Sequence, residues 1–179
     1  MPAYILTGAP GAGKTAVLRL LEATGYPVVE EAATDVIALR QAMGRAEPWR
    51  HPDFIDEIVA LQRRRQDAAL AAGDGPVFFD RSPVCTLALS RYLGSITSPL
   101  LAREVRRVLA EERYQPTVFF IRNQGFVRPT AARRISYADS LDFERVHEEV
   151  YRDLGFQLFD VPAAPLADRV ALIRRALPE

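Results

Sequence analysis

The stretch Gly8-Ala9-Pro10-Gly11-Ala12-Gly13-Lys14-Thr15 follows a short apolar run, 3–7, and precedes an amphipathic segment that begins at Ala16. It fits the pattern G-x-x-x-x-G-K-[ST], in which a strand leads into a glycine-rich loop and the loop into a helix. Glycines allow the positive φ angles at which successive N–H groups point at one anion, and the following helix N-terminus favours negative charge as well. The stretch therefore predicts a phosphate-binding loop at the start of an α/β fold.

All eight residues of this loop are candidates for nucleotide binding. The ammonium group of Lys14 is expected to reach the terminal phosphates and to take part in catalysis. The hydroxyl of Thr15 is a candidate ligand for Mg²⁺ that arrives with the phosphates.

Composition bounds the class of protein. Acidic and basic residues balance at 23 each, so the formal net charge is zero and gives no case for a nucleic acid or an anionic membrane as partner. Cys85 is the one cysteine, which excludes an internal disulfide and a cysteine-based zinc site. No apolar run is long enough to span a membrane, and the N-terminus lacks a signal-peptide pattern. We expect a single cytoplasmic domain over residues 1–179.

Short apolar runs alternate with longer helical patterns along the chain. The predicted strands are 4–6, 27–29, 77–79, 117–121 and 156–159. The predicted helices are 14–23, 32–43, 52–72, 83–92, 99–113, 139–154 and 165–177. This alternation predicts βαβ units and a mainly parallel sheet with helices on both faces. Ligands of such sheets bind beyond the carboxyl ends of the strands, so the polar residues that follow each strand are the functional candidates.

Acidic residues follow the second and third predicted strands. Glu30 and Glu31 could accept a proton from a substrate hydroxyl or hold Mg²⁺ through water, and of the two we prefer Glu31. A carboxylate in the first turn of the next helix is the alternative. Asp80 ends the third apolar run, as a carboxylate that orients Mg²⁺ does, and Arg81 beside it suits a substrate phosphate or hydroxyl. Asp80 and Arg81 could instead cap the next helix and form a local ion pair.

Arginines follow the fourth predicted strand in a segment with glycine and proline. We predict a lid over about 124–138, with Arg128 and Arg133 in catalysis and Arg134 on the nucleotide; a solvated basic turn is the alternative. After the fifth strand, the loop that contains Pro162 is a candidate contact for the nucleotide base, or a plain strand-to-helix link.

Other polar and aromatic residues point to structural roles. His51 and His147 lack metal-ligand spacing and are expected to be structural. The run 63–65, which is three arginines, is expected to be the solvated face of a long helix. Cys85 is expected to be buried. Trp49 is expected to be a core or interface residue, with stacking on an aromatic substrate as the alternative.

These residues together resemble the nucleoside and nucleotide kinase branch of P-loop proteins. The resemblance covers the whole chain and rests on the loop at 8–15, the acids at 30–31, the segment Asp80-Arg81-Ser82-Pro83 and the arginine-bearing segment. More narrowly, the chain is similar to the compact AAA-like ATPase group that includes the nicotinamide riboside kinase domain of bacterial NAD regulators. The resemblance implies a three-layer P-loop NTPase fold with a five-stranded parallel sheet in the order 2-3-1-4-5. It also implies ATP and Mg²⁺ as cofactors, with Lys14 and Thr15 on the phosphates and Mg²⁺, Glu31 or Asp80 as base and Arg81 on the substrate.

We therefore expect ATP-dependent phosphoryl transfer to a hydroxyl or phosphate of a small molecule that is nucleoside-, nucleotide- or vitamin-like. The alternative is a nucleotide-binding switch that hydrolyses ATP or GTP slowly and acts through a protein partner. A toxin-like kinase that acts on a cell-wall sugar nucleotide is a third hypothesis. A cavity beside the loop, lined by Glu31, Arg81 and the segment around Trp49, favours a kinase, whereas a flat surface there favours a switch. A homodimer stays open as the quaternary state.

Overall fold

The computed structural model describes residues 2–73, 75–125 and 136–178. Its strands are β1 (Ala3–Thr7), β2 (Val28–Val29), β3 (Val77–Asp80), β4 (Thr117–Ile121) and β5 (Gln157–Val161). Its α-helices are α1 (Lys14–Ala23), α2 (Ala32–Ala42), α3 (Phe54–Ala71), α4 (Pro83–Tyr92), α5 (Pro99–Ala110), α6 (Tyr137–Asp153) and α7 (Leu166–Arg175). A 3₁₀ turn over Pro48–Arg50 lies between α2 and α3. No helix in the described part of the chain is long and apolar enough to cross a membrane.

The strands form one sheet in the order β2-β3-β1-β4-β5, and every pair of neighbours is parallel. This confirms the predicted order and direction. The register pairs Leu6 with Asp80, Thr7 with Phe120, and Ile121 with Val161. Since the carboxyl ends of these strands lie side by side, the segments that follow them meet along one edge of the sheet.

The two faces of the sheet are covered by different helices. Because side chains alternate along a strand, Ile5 and Leu6 of β1 face opposite ways. Ile5 belongs to a core that α3, α4, α5 and α6 cover. Leu6 belongs to a second core, with α1 and α7. Side chains of this kind contribute about 1.5–3 kcal/mol each when fully buried. The predicted three-layer α/β architecture is confirmed.

The observed boundaries lie within three residues of those predicted, and two of the differences affect predicted site segments. β5 continues through Val161, so Asp160 and Val161 belong to the strand and not to the loop after it. Helix α6 begins at Tyr137, two residues early, because the hydroxyl of Ser136 caps it by accepting a hydrogen bond from the Asp139 N–H at 3.1 Å. The last two residues of the predicted lid are therefore helical. Arg128, Arg133 and Arg134 of that predicted lid lie outside the described residues.

Candidate active site

The glycine-rich loop joins β1 to α1 at the carboxyl edge of the sheet. Gly8, Gly11 and Gly13 have φ angles of 130°, 86° and 88°, which are strained for residues with a side chain. A Cβ atom at Gly8 would lie 2.2 Å from the carbonyl oxygen of Ile121, so the loop packs directly on the end of β4. The close approach leaves backbone N–H groups and the start of α1 to face an anion.

Lys14 lies within this loop and is 6% exposed. Its ammonium group donates to the carbonyl oxygens of Gly8, at 3.1 Å, and Ala9, at 2.9 Å. The side chain therefore folds back along the loop, and it would turn from these carbonyls to meet a phosphate. Lys14 is also the one lysine among the 23 basic Lys and Arg residues of the sequence.

A buried arginine of α7 binds the backbone of the glycine-rich loop. Arg169 is 2% exposed, and its Nη1 donates to the carbonyl oxygen of Ala12 at 2.9 Å. Its Nη2 donates to the carbonyl oxygen of Arg122, just after β4, at 3.1 Å. The amide of Gln124 donates to the same Ala12 oxygen at 3.2 Å. The guanidinium thus joins the loop, the end of β4 and α7.

The charge of Arg169 is not neutralised by a carboxylate within the described ranges. Its hydrogen-bond partners there are backbone carbonyls, and burial lowers the pKa of its guanidinium. An uncompensated buried charge is costly, and an anion bound in the loop above would offset part of that cost. We conclude that Arg169 both orders the loop and adds to its positive potential.

Glu31 and Arg81 form an ion pair beside the loop. Glu31 precedes α2, and Arg81 connects β3 to α4. The Nε of Arg81 donates to Oε1 of Glu31 at 2.5 Å, and the two side chains are 11% and 20% exposed, respectively. Arg81 has a φ of 75°, which costs on the order of 1 kcal/mol for a residue with a side chain and is typical of functional sites. The backbone N–H of Arg81 donates to the Leu6 carbonyl oxygen at 3.1 Å, which connects this turn to β1.

The ion pair sets the charge state of Glu31. Burial opposes its ionisation, but the positive charges of Arg81 and Lys14 outweigh burial, and the hydroxyl of Thr34 donates to Oε2 at 2.7 Å. These interactions lower the pKa of Glu31 to about 2. The carboxylate is therefore an ionised hydrogen-bond acceptor at every physiological pH.

His147 of α6 reaches the other side of Arg81. The imidazole is fully buried, and its Nε2 lies 3.3 Å from Nη1 of Arg81. Burial and the nearby charge of Arg81 lower the pKa of His147 to about 3. The sequence predicts a structural role for His147, whereas the structure places it against Arg81.

A cavity of about 480 Å³ opens next to the ion pair. Trp49, Phe54 and Phe143 are aromatic residues of its wall. Gln62 and Thr86 supply polar groups from buried positions, with the Thr86 hydroxyl donating to Oε1 of Gln62 at 2.9 Å. The volume lies within the range of small-molecule sites, and the mixture of an apolar wall with few polar groups is typical of them.

Among the described residues, the lining of the cavity contains more acidic than basic side chains. Its acidic lining residues among those described are Glu31, Glu47 and Asp139, and its basic one is Arg81. Arg81 is paired with Glu31, and Glu47 is paired with Arg50 at 3.2 Å. Asp139 adds a further carboxylate, so the described lining favours a neutral or cationic ligand over an anionic one.

The two predicted Mg²⁺ ligands fit a metal that comes with a nucleotide. Thr15 is exposed in the first turn of α1, and Asp80 is 5% exposed at the end of β3. Groups of three or more His, Cys, Asp or Glu able to hold a metal are absent from the described residues. One carboxylate and one hydroxyl leave most of an octahedral shell to phosphates and water, which is how Mg²⁺ usually binds in nucleotide sites.

Two further charged residues that follow strands are absent from the cavity lining. Glu30 is exposed and forms an ion pair with Arg19. Arg122, which directly follows β4 and precedes the predicted lid, is paired with Glu144, Glu148 and Asp160, so its charge is neutralised.

Pro162 directly follows β5 and is exposed. Its contact with a nucleotide base stays a prediction. The expected burial of Cys85 is confirmed, at 2% exposure. Of the run 63–65, the first two residues are exposed, whereas the third is half-buried and pairs with Asp35.

Two residues of the site were missed at the level of sequence, although a signal was present. His147 shares a helical face with the buried Phe143 and Val150, and Arg169 shares one with Val170 and Ile173. A polar residue on the apolar face of a helix is uncommon and needs a partner in the interior. That pattern marks such positions but does not name the partner.

The fold and the loop together define a P-loop nucleotide-binding protein. A family profile described as an AAA domain matches residues 3–169, and the chain belongs to this family. No curated protein matches the chain. The narrower similarity to nicotinamide riboside kinase domains stays a prediction.

Solved structures of deoxyadenosine kinase from M. mycoides have the same fold. The complex with the products dCMP and a flexible dCDP matches at a TM-score of 0.60 and 14% identity, over 97% of each chain. The dATP complex matches at 0.53 and 14% identity, over 98% of each chain. The dCTP complex matches at 0.56 and 16% identity, over 98% of this chain and 97% of that one.

The Arg169 contacts predict a selective loss of nucleotide affinity. We expect Arg169→Met to raise the Kd of a non-hydrolysable ATP analogue about tenfold, or about 1.4 kcal/mol, because the loop loses an anchor and a nearby positive charge. Arg174→Met is the matched control, since Arg174 is exposed on the same helix. Isothermal titration calorimetry measures the Kd of the analogue for both variants and for the unmodified chain. Equal affinity of Arg169→Met and the unmodified chain would show that the anchor is irrelevant to binding.

Proposed function

We propose that this protein is an ATP-dependent kinase that transfers the γ-phosphoryl group to a hydroxyl of a neutral, nucleoside-like small molecule. The observation that carries the proposal is the cavity of about 480 Å³ beside the phosphate loop, with the Glu31–Arg81 pair between the two. A loop alone would serve any nucleotide-binding protein, whereas an adjacent small-molecule cavity supplies the place for an acceptor.

The site residues divide into a donor half and an acceptor half. Loop N–H groups and Lys14 would hold the phosphates of ATP, with Arg169 behind the loop. Thr15 and Asp80 would hold Mg²⁺, which neutralises charge on the β- and γ-phosphates. On the acceptor side, Arg81 would contact the transferred group or the acceptor hydroxyl from the edge of the cavity.

Glu31 would orient the attacking hydroxyl by accepting its hydrogen bond. In the transfer, the bond between the acceptor oxygen and the γ-phosphorus forms, the bond to the ADP oxygen breaks, and the hydroxyl proton passes to Glu31. A pKa of about 2 makes Glu31 a weak base before nucleotide arrives. Bound phosphates add negative charge and draw Lys14 towards themselves, and both effects raise the pKa of Glu31. Because phosphoryl transfer has a loose transition state, orientation matters more than strong basicity.

The charge of the cavity favours a hydroxyl acceptor over a phosphorylated one. Asp139 adds to the charge of Glu31, Glu47 is paired with Arg50, and Arg81 is the one basic lining residue of the described part. A nucleoside monophosphate or a sugar nucleotide would bring further negative charge, so the same argument disfavours the toxin-like alternative. The aromatic wall and the Gln62 amide suit a flat, hydrogen-bonding ring. The structural similarity to a deoxyadenosine kinase supports the same acceptor class.

The remaining expectations stay part of the proposal. Arg128 and Arg133 would stabilise the charge of the transferred group, and Arg134 would bind the nucleotide. A cytoplasmic location is inferred from the lone cysteine in the sequence. The nucleotide-dependent switch loses support because the surface next to the loop is a cavity and not flat.

Replacement of Glu31 is expected to abolish most transfer. With ATP and Mg²⁺, we expect the protein to phosphorylate at least one member of a panel of nucleosides and vitamin-like alcohols, and nucleoside monophosphates and UDP-sugars to be poorer acceptors. Glu31→Gln should lower kcat about a hundredfold or more, because the amide cannot take the proton and no longer forms the ion pair that positions Arg81. Glu30→Gln is the matched control and should change kcat less than twofold, since Glu30 is exposed.

A coupled assay of ADP formation, with product analysis by mass spectrometry, measures these rates. Transfer to no panel member would refute the kinase assignment. Equal losses in Glu30→Gln and Glu31→Gln would refute the role of Glu31.

Trp49 provides a direct readout of acceptor binding. It is the one tryptophan of the sequence and lines the cavity, so excitation near 295 nm reports on this site alone. We expect an accepted nucleoside, added with a non-hydrolysable ATP analogue, to change its emission in a saturable way. Phe143→Ala, which alters another part of the wall, should weaken that binding. Emission that stays constant at acceptor concentrations well above KM would place the acceptor elsewhere.

A further inference from the structure

The buried imidazole of His147 lies between two groups whose hydrogen-bonding roles are fixed. Its Nδ1 is 2.9 Å from the backbone carbonyl oxygen of Phe143, one turn earlier in α6. Its Nε2 is 3.3 Å from Nη1 of Arg81. The ring also packs edge-on against Phe143, with the centroids 4.3 Å apart. The imidazole therefore has a defined orientation in an interior that excludes water.

These partners allow one protonation state of the ring. A carbonyl oxygen can only accept a hydrogen bond, so Nδ1 must carry a hydrogen. A guanidinium can only donate, so Nε2 must offer its lone pair. The ring that satisfies both contacts is the neutral Nδ1–H tautomer.

The charges around the imidazole agree with a neutral ring. Arg81, from the β3–α4 turn, and Lys14, from the phosphate loop, oppose a proton on the ring, whereas Glu31, before α2, favours one. Burial also opposes the charged form, and the pKa of His147 falls to about 3. A protonated ring would place a second cation directly on the guanidinium of Arg81.

We propose that His147 is a positioning residue for Arg81, and that it acts as a neutral Nδ1–H imidazole whose Nε2 accepts from the guanidinium. Glu31 holds Nε of Arg81 from one side and His147 holds Nη1 from the other. These two contacts use two of the five N–H donors of the guanidinium, one on Nε and one on Nη1. The other N–H groups can donate to a ligand in the cavity that Arg81 lines.

A neutral acceptor suits this position better than a second carboxylate. It fixes the plane of the guanidinium without adding a second negative charge to that of Glu31. Arg81 thus keeps its affinity for negative charge on the transferred group. This consequence for catalysis rests on the proposed kinase function, whereas the tautomer itself does not.

The tautomer can be measured without any substrate. The sequence contains two histidines, so ¹⁵N-histidine labelling gives two ring systems, and His51→Gln assigns them. We expect His147 to show a protonated Nδ1 and an unprotonated Nε2 at every pH from 8 to 5. An Nε2–H tautomer or an imidazolium at pH 7 would overturn the proposal, whether or not the protein proves to be a kinase.

Kinetics test the positioning role. His147→Leu should lower kcat for phosphoryl transfer by about tenfold to a hundredfold, because a misplaced catalytic group costs that much, and should leave the KM for ATP within about twofold. His147→Gln retains an oxygen able to accept from Arg81 and should recover part of the loss. Equal activity of His147→Leu and the unmodified chain would overturn the role. If His147→Leu does not fold, the partial activity expected of His147→Gln and the ¹⁵N spectrum of the unmodified chain decide the question.

Discussion

The ion pair between Glu31 and Arg81 is the interaction on which the arrangement of the site depends. It joins the turn after β2 to the turn after β3, and the backbone N–H of Arg81 donates to the Leu6 carbonyl oxygen of β1. The ends of three strands are therefore held together next to the phosphate loop. A parallel sheet brings its carboxyl ends to one edge, but it does not fix the side chains beyond that edge. The short, half-buried pair does so. It also keeps Glu31 ionised and directs Arg81 towards the cavity, where an acceptor would lie.

Charge on the two sides of this pair is distributed unequally. On the loop side, Lys14 and the buried Arg169 are positive, and each donates to backbone carbonyls. On the cavity side, Asp139 is negative, and Glu47 is paired with Arg50. A highly charged phosphoryl donor would bind on the positive loop side, and a neutral acceptor would bind in the cavity. This charge distribution disfavours the arrangement in which the two ligands exchange places. The phosphate loop forms only the nucleotide side of the site, so the loop alone does not distinguish among the many activities that this type of fold supports.

Most of the fold could be predicted from the sequence, whereas half of the site could not. Buried parallel strands are apolar on both faces, so β3 and β4 were evident as short runs, and the glycine pattern located the loop. The strand-end rule located Glu31 and Arg81 because Arg81 directly follows β3 and Glu31 follows β2 after one intervening residue. His147 and Arg169 act over long sequence separations, from helices whose rotation about their axes only packing fixes. The cavity likewise arises from tertiary packing, since Trp49, Gln62 and Phe143 come from separate elements. The arginines of the predicted lid lie outside the described residues, so the lid stays a prediction.

The most direct test of this account is a double-mutant cycle on the ion pair, measured as kcat/KM for the acceptor. It compares Glu31→Gln, Arg81→Met and the double variant with the unmodified chain. If the pair acts as one unit beside the cavity, the second substitution should cost little after the first, with a coupling energy of at least about 1.4 kcal/mol, a factor of ten. Losses that simply add would mean that the two residues act independently, and would contradict the account.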